Sequence, residues 1–304
     1  MRDPSLAAGQ AMPRLEETRR IRSRWRIRAI SLRAIGYAAL TTGGVIMLLP
    51  WLWMLSTAFK QSGQEFVFPP AWIPNPIKWT NFGEAINFLP VPFVRTALNT
   101  LIITFGATAG TVFSASLAAF SFARLRFKGR EFMFLLVIST MMLPGVVTLI
   151  PTFLIFRTLG WLDTFLPLIV PSWLGGSAFS IFLLRQFFLT IPRELDEAAR
   201  MDGASNLRIF WNIILPLAQP ALMTIIIFQV LWRWNDFLEP LIYLNTMTHY
   251  TIALALRVFQ NDRSQRINYL MALSTLQTLP IVILFFFGQK YFIRGITLTG
   301  LSGR

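Results

Sequence analysis

Cysteine is absent from this sequence of 304 residues, histidine occurs once, and aspartate and glutamate together number only 14. The lack of cysteine excludes a disulfide scaffold. Charged residues make up 14% of the chain, whereas an average soluble domain has about 25%. Hydrophobic residues make up 54%. Because so few polar side chains cannot cover the surface of a soluble globule, the composition is typical of a membrane protein.

The motifs of common enzyme classes are also missing. Neither Gly-Lys-Ser nor Gly-Lys-Thr occurs, so the chain has no P-loop for ATP. No Gly-x-Ser-x-Gly elbow accompanies the single histidine, His249, so the nucleophile and base of a serine hydrolase cannot assemble. One histidine and scattered acids do not indicate metal ligation. We therefore predict no catalytic, cofactor-binding or metal-binding residues in this chain.

Long uncharged runs are abundant. Six of them are long enough to cross about 30 Å of hydrocarbon, which takes roughly 20 helical residues. Because backbone groups in hydrocarbon must be satisfied within their own segment, these runs predict helices, several of them kinked by proline. The stretch 240–256 is also uncharged, but it is short and contains a polar Asn245–Thr246 pair, so we interpret it as a loop. The fold class is thus all-α, a polytopic membrane protein with six transmembrane helices, at residues 34–59, 96–122, 132–156, 164–184, 209–232 and 267–289.

Positive charge is in large excess, with 28 Lys and Arg and a formal net charge of +14. If the N-terminus is cytoplasmic, segments on the inner side hold 19 basic residues and those on the outer side hold six. This asymmetry follows the positive-inside rule and predicts that both termini are cytoplasmic. Residues 1–33 are either an interfacial helix on anionic lipids or a disordered basic tail. No nucleic-acid-binding motif accompanies the charge, so we predict no nucleic-acid partner.

One cytoplasmic segment, residues 191–208, departs from the basic trend. It predicts a helix of about eleven residues, too short to cross a membrane, with Pro192 at its first position and Gly203 as its stop. Leu195, Ala198 and Ala199 share one face, and the two alanines make that face smooth enough for another protein to approach closely. The residues alone favour a solvated connector and a docking helix equally.

This segment carries a family resemblance. Glu197-Ala198-Ala199, then Gly203, then Ile213-x-Leu215-Pro216 is similar to the EAA signature of ABC importer permeases, in residue types and in spacing. The stretches 234–241, 250–260 and 289–300 resemble segments of carbohydrate-type permeases, although the lysine that often ends the family's tail is absent. Over roughly residues 35–304 the sequence resembles the second, maltose-transporter-like permease subunit of a carbohydrate ABC importer.

The resemblance implies a type I ABC importer permease, with residues 1–33 as an extension, 34–294 as the transmembrane domain and 295–304 as a cytoplasmic tail. It also implies a multi-pass location in a bacterial or archaeal inner membrane. The implied partners are membrane lipids, a second permease subunit for which the resemblance favours a different chain, an extracytoplasmic sugar-binding protein, and two ATPase subunits that bind ATP and Mg. No cofactor is implied for this chain. The implied coupling residues are Glu197, Ala198, Ala199, Asp202, Gly203 and Pro216.

Polar residues in or near the spans are candidates for the substrate pathway, because burying them in a membrane is costly. Arg233 has Asp236 three residues later, and Glu239 follows three residues after that, so the arginine can pair with one of two acids. Such a cluster is either a structural ion pair or part of a sugar pathway, in which Trp234 is a further aromatic candidate. The pathway candidates are Gln229, Trp232, Arg233, Asn235, Asp236 and Glu239; Asn99, Asn212, Gln219 and Gln277 are further polar candidates.

Two outer segments, 80–95 and 241–266, are candidates for docking the binding protein, or are plain amphipathic loops on the membrane. The alternative function is that of a secondary, ion-coupled transporter or channel subunit. Such a protein is expected to have acidic residues within its spans and inverted repeats. All six predicted spans lack acids, which favours the ABC permease.

Overall fold

A computed structural model of the chain describes the backbone of residues 4–88, 91–261 and 266–300. Side chains are described within residues 31–88, 91–257 and 266–289. All regular secondary structure in these ranges is helical, which confirms the predicted all-α class. The chain divides into two compact units, one ending at Ser56 and the other beginning at Thr57.

The first unit is formed by a single helix, α1, which runs for 55 residues from Pro4 to Ala58 and ends just beyond the unit boundary. Its part Ser31–Ala58 is apolar and long enough to span a membrane. The backbone of the basic N-terminal extension is therefore helical from Pro4 onward. Its placement on a lipid surface remains a prediction.

The second unit contains the remaining helices, which differ in length. A turn of π-helix, Phe210–Ile214, joins α9 to α10 without a break. The helices are α2 Thr80–Phe88, α3 Phe93–Arg124, α4 Arg130–Ser139, α5 Gly145–Thr158, α6 Leu166–Leu174, α7 Ala178–Thr190, α8 Glu194–Met201, α9 Asn206–Ile209, α10 Leu215–Leu217, α11 Gln219–Trp234, α12 Leu238–Tyr243, α13 Ile252–Asn261 and α14 Ile267–Gly300.

Six membrane crossings are present if each bent helix pair counts as one span. Four crossings are single segments, at Ser31–Ala58, Phe93–Arg124, Leu166–Thr190 and Ile267–Gln289. Two are bent pairs, Arg130–Met142 with Gly145–Thr158 and Asn206–Leu217 with Gln219–Trp234. The six predicted spans correspond to these segments in order. The fourth extends to Thr190, beyond its predicted end at residue 184.

Proline determines where the two bent spans change direction. The first pair bends by 100° at Leu143–Pro144, and the second bends by 78° at Ala218, between Pro216 and Pro220. Proline has no N–H to donate and its ring crowds the preceding turn, so a helix cannot continue straight through it. The π-helical turn before Pro216 is a further local deviation from α-helix geometry.

The prediction of a loop at 240–256 is wrong over much of that stretch. Helix α12, a short 3₁₀ turn at Met247–His249 and helix α13 occupy most of this stretch. Tyr243, Leu244 and Leu254 are buried there and pack with Ile103 of α3 and Leu168 of α6. The stretch is therefore uncharged because it packs into the protein, not because it crosses a membrane.

Helix α3 is the central element of the second unit, packed against α6, α7 and α11. Its buried face is built from small residues, including Ala107, Ala115 and Ala119, which lets neighbouring helices approach closely. At its middle the indole of Trp173 lies across the helix and donates a hydrogen bond of 3.1 Å to the carbonyl oxygen of Gly106. A Cβ atom on Gly110 would lie 2.4 Å from Cδ1 of that indole.

The substitution Gly110→Ala tests this packing. The added methyl group would displace the Trp173 ring, and overpacking of this kind costs about 1–3 kcal/mol. We expect a lower apparent melting temperature of the purified protein in detergent. The measurement is size-exclusion chromatography of samples that have been heated to a series of temperatures. Gly83→Ala is the matched control, because a Cβ there meets nothing within 4 Å. Equal melting temperatures for the two variants would contradict the packing.

Candidate functional site

Helix α8 is shorter than expected, with eight residues from Glu194 to Met201, and it begins two residues after Pro192. Three acids, Glu194, Asp196 and Glu197, occupy its first turn, where they interact favourably with the positive end of the helix dipole. Arg200 lies in its last turn, where a positive charge is favourable. The local charge pattern therefore stabilises a helix that is too short to be stable alone.

Gly203 ends α8 as expected, with a positive φ of 79°. Its N–H donates to the carbonyl of Arg200 at 3.0 Å, and the N–H of Ala204 donates to that of Ala199 at 2.9 Å. These two bonds form a Schellman motif, which requires a residue that tolerates the left-handed region. Ser205 then caps the next helix by accepting a bond from the N–H of Arg208 at 3.3 Å.

The outer surface of α8 is mixed acidic and apolar. Glu197, Ala198 and Asp202 are exposed, and Met201 is 89% exposed. Ala199, in contrast, is half-buried and packs against the protein's own core. The expectation that both alanines form one smooth outer face is therefore wrong, because Ala199 lies three residues after the buried Asp196 and shares its inward side of the helix. Pro216, the last predicted coupling residue, is exposed near the bend before α11.

Asp196 is the one acid of α8 that is buried. Its Oδ2 lies 3.5 Å from Nη1 of Arg124, the last residue of α3, and the two side chains are only 5% and 2% exposed. Nη2 of Arg124 donates bonds of 2.7 Å to the carbonyls of Phe188 and Ile191, at the end of α7. We name this arrangement of Arg124, Phe188, Ile191 and Asp196 the inner junction. The sequence did not indicate it, because the charged partners are distant in the chain.

A second feature is a cavity of about 990 Å³ at the C-terminal end of α11. Aromatic side chains and two amides line it together with charged groups, the kind of surface that binds the faces and hydroxyls of small polar molecules. Five of the six predicted pathway residues line this cavity, namely Gln229, Trp232, Arg233, Asn235 and Asp236. Phe179, Phe228 and Phe237 supply further aromatic surface.

Arg233 is held at the cavity wall by three partners. Its Nη1 lies 2.8 Å from Oε2 of Glu239 and 3.9 Å from Oδ2 of Asp236. Its Nη2 donates to Oγ of Ser172, in α6, at 3.2 Å. The cluster thus joins α6, α11 and α12 and also lines the cavity, so the two interpretations given by the sequence coexist in one group of residues.

The aromatic candidates and the further polar candidates differ in their surroundings. Trp232 is 73% exposed at the cavity, whereas Trp234 is buried and donates to the carbonyl of Gln277 at 3.0 Å, so Trp234 does not line the cavity. Asn99 donates to the carbonyls of Thr248 and Tyr250. Asn212 and Gln219 are exposed on the bent span.

The described parts of the two predicted docking segments, 80–88 with 91–95 and 241–261 with 266, are in contact; residues 89–90 and 262–265 lie outside the described residues. Arg95 donates to the carbonyl of Thr248 at 3.1 Å, beside the bonds from Asn99. Asp163, missed by sequence reasoning, accepts bonds from the N–H groups of Asn245 and Thr246 at 2.9 and 2.8 Å. Burial alone would raise the pKa of Asp163, but these donors with the Thr246 hydroxyl and His249 outweigh it and hold the pKa well below its usual value. The segment 244–249 therefore has a fixed conformation at neutral pH.

Replacing Arg233 by glutamine tests the ion cluster. The change leaves Asp236 and Glu239 without their counter-charge at a mostly buried site, at a cost of about 1–3 kcal/mol. We expect less folded protein, measured by fluorescence-detected size exclusion, with an unchanged substrate preference. The double variant Arg233→Gln with Glu239→Gln should recover part of the loss. A normal amount of protein with an altered substrate profile would show that Arg233 contacts substrate instead.

Comparison with known proteins agrees with this architecture. Residues 110–298 match the family described as binding-protein-dependent transport system inner membrane component. The chain is 30% identical to the inner membrane ABC transporter permease protein YcjP of Escherichia coli (strain K12), over 90% of this chain and 98% of that protein. It is 32% identical to the sn-glycerol-3-phosphate transport system permease protein UgpE of Yersinia pestis, over 84% and 93%.

A solved structure shows the same fold. A chain of a bacterial ABC transporter involved in the import of the acidic polysaccharide alginate superposes with a TM-score of 0.75, at 24% identity, over 86% of this chain and 97% of that chain. The predicted resemblance to ABC importer permeases is thereby confirmed. The chain belongs to the family of binding-protein-dependent transport system inner membrane components.

Proposed function

We propose that this chain is a membrane-spanning permease subunit of an ABC importer, and that it translocates a sugar or oligosaccharide by alternating access. The observation that carries the proposal is helix α8, whose exposed surface of Glu197, Ala198 and Asp202 is held in a defined orientation by a Schellman motif. A solvated connector needs no such fixed surface. A helix that transmits a movement from another protein needs a fixed surface, because a flexible segment would not pass the movement on.

In this proposal the ATPase is a separate protein. The sequence has no P-loop, so ATP and Mg would be bound by two partner ATPase subunits that contact α8. Glu197 would offer a carboxylate to a basic group of the ATPase, and Ala198 would allow close approach. A second permease subunit, a different chain, would complete the pathway. The excess of basic residues in the segments 1–33, 123–131, 191–208 and 289–304 supports cytoplasmic termini and, with them, a cytoplasmic position of α8.

We propose that the cavity beside α11 forms part of the sugar pathway. Aromatic faces pack against the apolar faces of sugar rings, and amide groups bond hydroxyls in two directions. Trp232 and Phe237 would supply the aromatic faces. The amide groups would come from Gln229 and Asn235. The related permeases support a sugar-like solute, since one named relative acts in sn-glycerol-3-phosphate transport and the solved importer takes up alginate.

The outer surface formed by 80–95 and 241–266 is the proposed docking site for an extracytoplasmic binding protein. The alginate transporter has been solved in complex with an alginate pentasaccharide-bound periplasmic protein, which supports such a partner. Here Glu84 accepts bonds from Tyr269 and from Lys78, the latter at 2.9 Å, and these bonds lower its pKa to about 2. Glu84 therefore stays ionised at more acidic pH than an ordinary glutamate does.

The substitutions Glu197→Lys and Gly203→Val test the role of α8. The first reverses the exposed charge, and a lost charge contact at an interface costs about 2–5 kcal/mol, so uptake should fall at least about tenfold. The second places a β-branched residue at a positive φ and distorts the turn. Sugar uptake into cells, normalised to the amount of protein in the membrane, is the measurement. Gly203→Asn is the matched control, because asparagine tolerates this conformation.

Normal uptake in both variants would contradict the coupling role. A secondary transporter makes a different prediction, since its uptake would run on an ion gradient in vesicles that contain no ATPase. Co-purification of an ATPase with this chain, and strict dependence of uptake on ATP, would exclude that alternative.

A further inference from the structure

Three helices of the second unit meet at one guanidinium group. Arg124 ends α3, the carbonyls of Phe188 and Ile191 close α7, and Asp196 lies in the first turn of α8. The arginine bonds both carbonyls at 2.7 Å and lies 3.5 Å from the carboxylate. Because guanidinium is planar and donates in fixed directions, it sets the relative orientation of all three groups more strictly than a flexible cation would.

The electrostatics of the inner junction explain why a charge is tolerated there. The last carbonyls of α7 form its partially negative end, where that of Phe188 also accepts a bond of 3.3 Å from the N–H of Ile191. Arg124 satisfies these carbonyls, and Asp196 supplies the full opposite charge. Removing either charged partner would leave the other buried and unpaired, which is strongly unfavourable. The junction therefore resists opening when α8 is displaced.

Helix α3 connects this junction to the cavity. In the second half of α3, the hydroxyl oxygen of Ser114 lies 2.9 Å from the carbonyl oxygen of Ser172 and 2.8 Å from that of Gly110, and its one proton is shared between these two acceptors. The hydroxyl of Ser172 in turn accepts the bond from Arg233 at the cavity wall. One helix thus contacts both α8, at its inner end, and the residue that positions Arg233.

We propose that Arg124 and Asp196 are positioning residues that make α8 a rigid extension of α3 and α7. A movement of α8 is then transmitted to the second and fourth membrane spans and is not absorbed in the turn between α7 and α8. This inference rests on the proposed function, because it assigns α8 the input and names the side chains that pass the movement on.

The test is the number of sugar molecules imported per ATP hydrolysed, measured with the full importer complex in proteoliposomes. In Asp196→Asn, which keeps the shape but removes the charge, we expect the ATPase to stay bound and active while this ratio falls at least about fivefold. Asp196→Glu restores the charge and should recover at least half of the ratio. Arg124→Lys keeps the charge but loses the forked geometry, and should be uncoupled as well. The matched control is Glu197→Gln, an exposed neighbour whose loss should weaken ATPase binding instead.

An unchanged ratio in Asp196→Asn and Arg124→Lys would overturn the inference. The inference would also be overturned if both variants gave less complex but a normal ratio in the complex that remains. It would equally be overturned if neither variant gave any complex, since the pair would then serve folding alone. The proposed function fails separately, if Glu197→Lys and Gly203→Val import sugar normally. If those two variants are inactive and Asp196→Asn has a normal ratio, only the role of the inner junction is refuted.

Discussion

The burial of one positive charge determines how the ends of α3 and α7 and the start of α8 are arranged. Arg124 has almost no contact with solvent, so its guanidinium must be satisfied by protein groups. Two carbonyls from the end of α7 accept bonds from its Nη2, and the carboxylate of Asp196 lies 3.5 Å from its Nη1, which holds the first turn of α8 against the end of α3. The exposed positions of Glu197 and Ala198 follow from that orientation, since Asp196 occupies the inward side of the same helical turn.

The membrane spans could be predicted from the sequence because hydrocarbon leaves the backbone no alternative to helix. The positions of Pro144, Pro216 and Pro220 also indicated interruptions, but not the bends of 100° and 78°. The prediction of a loop at 240–256 was wrong because an uncharged run shorter than a span can be either a loop or a set of short helices packed into the protein. Contacts from Ile103 and Leu168, far away in the chain, decide between them, and hydropathy contains no information about such contacts.

The candidate site shows the same division between local and distant determinants. The stop at Gly203 is a local property, and glycine after a charged helix indicated it correctly. Five pathway candidates line one cavity because they are neighbours at one helix end, and their role in a substrate pathway stays a prediction. The inward position of Ala199, the buried state of Trp234 and the pairing of Arg124 with Asp196 depend on tertiary packing. Asp163 is similar, because its partners at Asn245 and Thr246 belong to a different segment.

The central claim is that the outer surface of α8 contacts an ATPase. Because the chain has no cysteine, Ala198→Cys would give it a single thiol on that surface. A bifunctional maleimide of short span should then join this chain to an ATPase subunit in isolated membranes, in the presence of ATP. Ala199→Cys, which faces the core, should give little of this product. Absence of the ATPase product from position 198, or equal yields from positions 198 and 199, would contradict the account.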